Sequence, residues 1–382
     1  MAIRKRVLLL QVLAGDYDRQ VMDGVTRYAR HHGHWIVGIV LRKPSDPYLE
    51  TWRYDGVLVR GSDHLPPKHP LFSLTRPVVE YDLRQHSPRF PCVSADHGAG
   101  GRMTAEHFLD LGFRHFAAYT SNGRADQRAR FDGFVGRLRA EGLACAGLDM
   151  NRPLSSAWSL QRRIEQLARW LRGRPRPLAL MLGWDINASR VLEACDRIGL
   201  HVPDDVAIIG AGNDVPVCEL MWPTLTSVDL NPGQVGFEAA RMLDRLMNGE
   251  APAERLTLIP PRGLVARLST DVVAATDPLV AKALHAMRAH CPEALAVQDL
   301  CAQLNVCRRS LEVRFRKAIG RTPAREMKRL RMEHAKHMLR TSHEKITFIA
   351  AQCGYSTFAD FLRNFRQATG MTPGDYRAAL RG

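Results

Sequence analysis

The eight cysteines include no Cys-x-x-Cys pair and no Cys/His cluster. That argues against a zinc site and a disulfide framework, and it fits a reducing compartment. No P-loop, no Gly-x-Ser-x-Gly and no His-Glu-x-x-His occurs. The run Gly210-Ala211-Gly212 follows a strand-like stretch, but it lacks a third glycine and meets Pro216 where a helix should start. Neither an enzyme nor a cofactor is therefore expected. His31, His32 and His34 stand where a helix should stop at Gly33, and no metal is expected there. No solenoid-type repeat appears. Beyond the N-terminus no apolar stretch is long enough to span a bilayer, so no membrane is expected among the partners. The start, "MAIRKRVLLLQVLAG", has the basic residues and apolar run of a secretory leader. Gln11 interrupts that run and "DYDRQ" follows directly, so Arg6–Leu13 reads equally well as the buried first strand of a parallel sheet, and the strand is the preferred reading.

What is present divides the chain. Its 382 residues, 45% apolar, suffice for two or three domains with proper cores. Between residues 278 and 382 there are 19 Lys and Arg against 8 Asp and Glu, a surplus of eleven, while residues 1–277 have a surplus of only four. So basic a small domain suggests a polyanion partner, most often nucleic acid.

Residues 1–270 alternate strand and helix. Strands are expected at 7–12, 35–41, 56–60, 77–81, 116–120, 178–182 and 206–209, and helices at 18–31, 100–111, 125–141, 156–171, 186–198 and 233–246. Repeated βαβ units imply doubly wound sheets whose ligands sit at the carboxyl ends of the strands. After a short connection at Ser269–Pro278 the pattern is purely helical. There, "IAAQCGYSTFADFLRNFRQATG" has the parts of a helix-turn-helix. Ala350 is small enough for two helices to touch, Gly354 tolerates a turn at positive φ, and Ser356 can cap the second helix. Phe358, Phe361, Leu362 and Phe365 recur at helical spacing and read as core. Upstream, Cys301 and Asn305 repeat the arrangement, with Leu311 and Phe315 as the buried side of the second helix and Cys307 as a poor cap.

The stretches "SLEVRFRKAIGRTPAREMKRLRMEHAKHMLR" and "ITFIAAQCGYSTFADFLRNFRQATGMTPGDYR" resemble the AraC/XylS family of transcription regulators. The resemblance implies seven helices with two helix-turn-helix units that enter successive major grooves of double-stranded DNA. By position, Arg309 and Glu312 in the first unit and Arg363 in the second match base-contacting positions, with Arg308, Thr357 and Asp360 as further candidates.

The stretches "VSADHGAGGRMTAEHFLDLGFRHFAAYTS", "GLHVPDDVAIIGAGND" and "LTSVDLNPGQVGFEAARMLDRLM" resemble the LacI/GalR family, whose sensor is built like periplasmic sugar-binding proteins. The fold implied is a two-lobed α/β periplasmic-binding-protein-like sensor (residues 1–272) followed by an all-α AraC-type domain with two helix-turn-helix units (273–382). A sugar needs carboxylates, amides and Arg forks for its hydroxyls, and an aromatic face for its C–H side. Candidates at strand ends and helix starts are Asp18 and Arg19, with Tyr17 beside them, and Asp185. Arg130 and Trp158 match sugar-contacting positions of the family. Gly212 stands where the family often carries an acidic residue, so either Asn213, with Asp214 beside it, takes that role or the sugar preference differs. The resemblances together imply a cytoplasmic, homodimeric activator of genes for xylose or related pentose use, with a small-molecule sugar as effector and RNA polymerase as a further partner. A regulator of the same build sensing another small molecule, and an exported sugar-binding transport protein, are the alternatives.

Overall fold

The computed structural model describes residues 4–11, 15–32, 35–41, 53–62, 65–82, 89–120, 124–149, 160–252, 254–272, 277–289, 296–342 and 344–379. The first two-thirds folds as two six-stranded sheets. The first sheet holds β1 (Arg6–Gln11), β2 (Ile36–Leu41), β3 (Gly56–Arg60), β4 (Val78–Tyr81), β5 (Cys92–Ala95) and β11 (Leu256–Ile259), in the order β11-β5-β4-β3-β1-β2. The second holds β6 (His115–Thr120), β7 (Cys145–Asp149), β8 (Leu178–Leu182), β9 (Val206–Ala211), β10 (Thr226–Asp229) and β12 (Gly263–Val265), in the order β12-β10-β9-β8-β6-β7. All neighbours are parallel except β10 and β12. The apolar run near the N-terminus is β1, paired on both sides, with Val7 to Leu10 buried, as the two faces of a parallel sheet require.

The helices of this part are α1 (Asp16–His32), α2 (His97–Asp110), α3 (Ala125–Ala140), α4 (Leu160–Arg172), α5 (Ala188–Asp196), α6 (Val215–Leu220) and α7 (Pro232–Met247). The chain crosses between sheets three times: β5 to β6 through α2, β10 to β11 through α7, and directly from β11 to β12. Strands β5, β7 and β10 to β12 and helix α6 were not anticipated; they are three to six residues long, and β5, β7 and β10 (CVSA, CAGLD and TSVD) lack the continuous run of large apolar residues that marks β3 and β8. Helix α2 lies against α3 at backbone distance. A Cβ on Gly101 would sit 2.0 Å from the Arg130 carbonyl oxygen, and one on Gly133 2.2 Å from that of Gly98. The two glycines thus let α3 approach the start of α2, which brings Arg130 to His97. His32 ends α1 stacked on Tyr28, ring centroids 4.3 Å apart, with its Nδ1 3.1 Å from the Tyr28 carbonyl oxygen; Gly33 and His34 lie outside the described residues.

The remainder is seven helices: α8 (Pro278–Ala289), α9 (Val297–Gln303), α10 (Arg308–Ile319), α11 (Pro323–Thr341), α12 (Ile346–Gln352), α13 (Phe358–Thr369) and α14 (Pro373–Ala379). The pair α9–α10 turns at Asn305 (φ +50) and the pair α12–α13 at Gly354 (φ +71), so both left-handed turns stand where the sequence placed them. Each pair has its own core. Leu300, Leu311 and Phe315 are buried with α8 and Leu330 in the first, and Ile349, Phe361 and Phe365 with Met332 and Leu339 in the second. Helix α11 feeds both cores. Its 19 residues give it a length of about 28 Å and make it the rod between the two units. Two details differ from expectation. The cap of α13 is Thr357, not Ser356; the Thr357 hydroxyl accepts from the Asp360 amide at 3.1 Å, because Ser356 lies one residue too early to reach the first turn. Phe358 is exposed and not core, since at the first position of α13 it precedes the face that meets α12. Cys307 caps α10 without a side-chain hydrogen bond.

Candidate functional site

The carboxyl ends of β1, β3 and β4 in one lobe face those of β6, β8 and β9 in the other, and the residues there are polar and buried. Arg60, the last residue of β3, donates from Nη1 to both oxygens of Asp18 at 2.7 Å and from Nε to Asp82 at 2.8 Å. Asp82 follows β4 at a φ of +64. From the other lobe, Arg124 pairs with Asp126 at 2.7 Å and reaches Asp82 at 3.7 Å, which ties the lobes together. Arg130 is fully enclosed; Nη2 donates to the Gly183 carbonyl and Nη1 to His97 Nδ1, both at 2.6 Å. Trp184 stands among them. Its ring lies 4.4 Å from the Arg130 guanidinium and 5.8 Å from that of Arg124, and it meets Tyr17 edge-on at 6.3 Å from the opposite lobe.

Three buried carboxylates (Asp18, Asp82, Asp126) therefore pair with the guanidiniums of Arg60 and Arg124, and the buried Arg130 guanidinium lies within electrostatic reach of Asp126. Asp82, His97 and Asp126 bring potential metal-ligand atoms within 4.8 Å of one another, but these guanidiniums already supply the positive charge. A cleft that balances its own charge suits a neutral, hydroxyl-rich ligand better than an ion. Burial, and then the Arg130 charge, hold the His97 pKa down to about 4, so the ring is neutral near pH 7. Arg130 can only donate, which assigns the lone pair to Nδ1 and the proton to Nε2. That Nε2, the Tyr17 hydroxyl and Arg130 Nε are buried with no hydrogen-bond partner among the described residues. Buried donors of this kind need a water or a ligand group as partner.

A depressed histidine pKa fixes the sign of a pH effect. The unfolded chain takes up the His97 proton near pH 6.5 and the folded one only near 4. The stability that neutral His97 contributes is thus present above pH 6.5 and lost as pH falls toward 4, by about 2 kcal/mol between pH 7 and 5. Titrations of unfolding midpoint at several pH values, in wild type and His97→Gln, check this. The variant is expected to have a flatter acid limb, and superimposable curves would show that His97 is not the group responsible.

Among the candidates from sequence, Tyr17, Asp18 and Arg130 come together in the cleft. Asp185 is buried beside it with both carboxylate oxygens engaged, Oδ1 by the Ser227 hydroxyl at 2.6 Å and Oδ2 by the Asp214 amide at 2.8 Å. Desolvation raises its pKa to about 6. Asp214 caps α6, and a Cβ on Gly15 of the other lobe would approach its carboxylate to 3.9 Å. Asn213 turns its side-chain oxygen to Arg267, at 2.9 Å. Arg19 points to solvent and pairs with Asp16. Trp158 lies outside the described residues. Sequence reasoning missed Arg60, Asp82, His97, Arg124, Asp126 and Trp184. Four of these stand at or within two residues of a strand's carboxyl end, the position rule already in hand.

In the helical domain, Arg308, Arg309, Glu312 and Val313 ride the open face of α10, and Arg309 is exposed. Arg308 pairs with Glu312 at 2.8 Å. On α13, Arg363 is exposed and pairs with Asp360, whose other oxygen accepts from the Thr357 hydroxyl at 2.8 Å. Both open faces carry guanidiniums, the side chains suited to phosphates and to guanine edges.

Residues 105–270 match the model of a periplasmic binding protein-like domain and residues 300–379 that of a helix-turn-helix domain. The chain is 27% identical to the xylose operon regulatory protein of Escherichia coli strain K12, over 98% of this chain and 97% of that one. It is 26% identical to the protein of the same name from Haemophilus influenzae, over 94% and 95%. A solved structure described as a xylose-binding transcription activator superposes with a TM-score of 0.79 at 26% identity, over 99% of both chains. These relatives are transcription regulators and not enzymes. No described helix is long and apolar enough to cross a membrane. The chain is a DNA-binding transcription regulator in which a periplasmic-binding-protein-like sensor precedes an AraC-type domain with two helix-turn-helix units.

Proposed function

We propose that the protein regulates transcription in response to a sugar, a pentose such as D-xylose, held between its lobes. The charge-balanced cleft carries the reading: buried forks and carboxylates for hydroxyls, with Trp184 available for the ring's C–H side. The names of the full-length relatives support the choice of D-xylose. In this reading the sensor comprises residues 1–272 and the DNA-binding domain 273–382. The protein works in the cytoplasm as a homodimer on paired half-sites, and it activates through RNA polymerase. Sugar shifts the population toward a state that fits those half-sites. A thermal-shift panel of pentoses, hexoses and nucleosides tests it, since a ligand at one hundred times its Kd adds about 2.7 kcal/mol. Stabilisation by D-xylose or another pentose is expected. Stabilisation by a hexose or nucleoside alone would move the effector elsewhere, a second reading that the glycine at 212 favours. No response from the whole panel would sink sugar sensing.

For DNA, Arg309→Ala and Arg363→Ala are each expected to weaken binding by about 1–3 kcal/mol and relax preference at one base position. The two positions should lie about 10 base pairs apart, one helical turn. Selection from a randomised site library with each variant decides. Unchanged base preferences with a shallower salt dependence would make both arginines phosphate contacts.

A further inference from the structure

The cleft is joined to the DNA-binding domain by an unbroken run of polar contacts. Asp185 accepts from the Ser227 hydroxyl, which itself accepts from the Asn213 amide at 3.0 Å. Asn213 accepts at its side chain from Arg267 Nη2, and Arg267 Nε donates to Glu219 Oε1 at 2.8 Å. The other oxygen of Glu219 pairs with Arg340, on the last turn of α11. Arg340 also donates to the Tyr376 hydroxyl and lies 5.5 Å from the centre of its ring. Tyr376 meets Phe365, on α13, edge-on at 5.5 Å. The run thus begins on a buried carboxylate at the cleft and ends on the core side of the second unit's recognition helix.

The mechanical arrangement points the same way. Glu219 sits on α6, a helix of six residues, about 9 Å long. Its cap, Asp214, is tied through its amide to Asp185. Just past its far end, Trp222 packs on His334 and His337 of α11, at 4.8 and 5.2 Å. One short helix with its flanking residues therefore touches the cleft at one end and α11 at the other. The first unit is tied to the sensor elsewhere, by Arg288 on Asp204 and Arg329 on Asp271.

We propose that Glu219 couples the two domains: its carboxylate, shared between Arg267 and Arg340, passes the state of the cleft through α6 to α11 and so to the second helix-turn-helix unit. The inference rests on the sugar-sensor reading and adds its route. A carboxylate can accept from two guanidiniums at once through separate oxygens, whereas an amide has one acceptor oxygen and turns two donors to the other side. Glu219→Gln should therefore keep one arginine and release the other without emptying any core position. Coupling is reciprocal, so it reads out as one ratio, DNA affinity with and without sugar.

The experiment uses the full-length chain, D-xylose as the probe, and a DNA fragment from upstream of its own gene. Wild type, Glu219→Gln, Arg340→Gln and the double variant are compared. In each single variant D-xylose affinity is expected to stay within about two-fold, while the sugar-induced change in DNA affinity falls at least about five-fold toward none. The double variant should lose no more than either single one, as members of one contact do. A Glu219→Gln protein that keeps the full sugar-induced change would overturn the proposal. Amide hydrogen exchange without sugar or DNA provides an independent arm: faster exchange is expected in α6 and in the last turn of α11. If wild type ignores D-xylose altogether, the sensor reading fails on its own account. The exchange arm then still decides the contact, and unchanged exchange in Glu219→Gln would refute it.

Discussion

Arg60→Leu is expected to destabilise the sensor by about 3–5 kcal/mol. Arg60 is 6% exposed and serves two carboxylates, Asp18 at 1% and Asp82 at 0%. Leucine fills much of its volume but removes the positive charge that both of them face. Two negative charges then share a buried site, with Arg124 3.7 Å from Asp82. Neutralising one carboxylate should return part of the loss, so Arg60→Leu combined with Asp82→Asn is expected to regain at least about 1 kcal/mol. Chemical denaturation followed by a sensor-specific signal measures both steps. A loss below about 1 kcal/mol in the single variant would mean that water reaches the network and screens it. The same variant should also lose its thermal response to sugar, because the cleft's charges no longer balance.

Arg130→Ala should weaken sugar binding by about 2–3 kcal/mol, roughly 30- to 150-fold. The side chain is buried against Trp184 and holds His97 and the Gly183 carbonyl by separate donors. Removing it deprives two buried acceptors at once and frees the Trp184 ring to move. Arg130→Lys restores the charge without the fork, so it should recover little of the affinity. DNA affinity in the absence of sugar should stay within about two-fold, since the hydrogen bonds of Arg130 run to His97 and Gly183, both within the sensor. Calorimetric titration with D-xylose and a DNA-binding isotherm on the same preparation provide both readings. Sugar affinity unchanged in Arg130→Ala would place the effector outside this cleft.

Much of this molecule was legible from local signals. Gly354 and Asn305 mark two turns at positive φ, Leu311, Phe315, Phe361 and Phe365 recur at helical spacing, and the basic surplus gathers in the last hundred residues. Strands β1, β3 and β8 are apolar runs that a buried parallel sheet demands. Arg130 was proposed by resemblance and Asp18 by its place after β1, and both lie buried in the cleft. Other features are not local. Arg60 meets Asp18 across 42 residues, and Arg340 meets Glu219 across 121, and no periodicity records such a meeting. Asp185 and Asn213 were expected to face a ligand, yet the structure engages Asp185 with Ser227 and the Asp214 amide, and Asn213 with Arg267. Residue type and spacing determined which elements form and roughly where polar side chains gather, because hydrogen bonding and hydrophobic period act over a few residues. Only the tertiary structure decided which of those side chains share a carboxylate, because burial and charge pairing depend on distances that the packing of whole lobes sets.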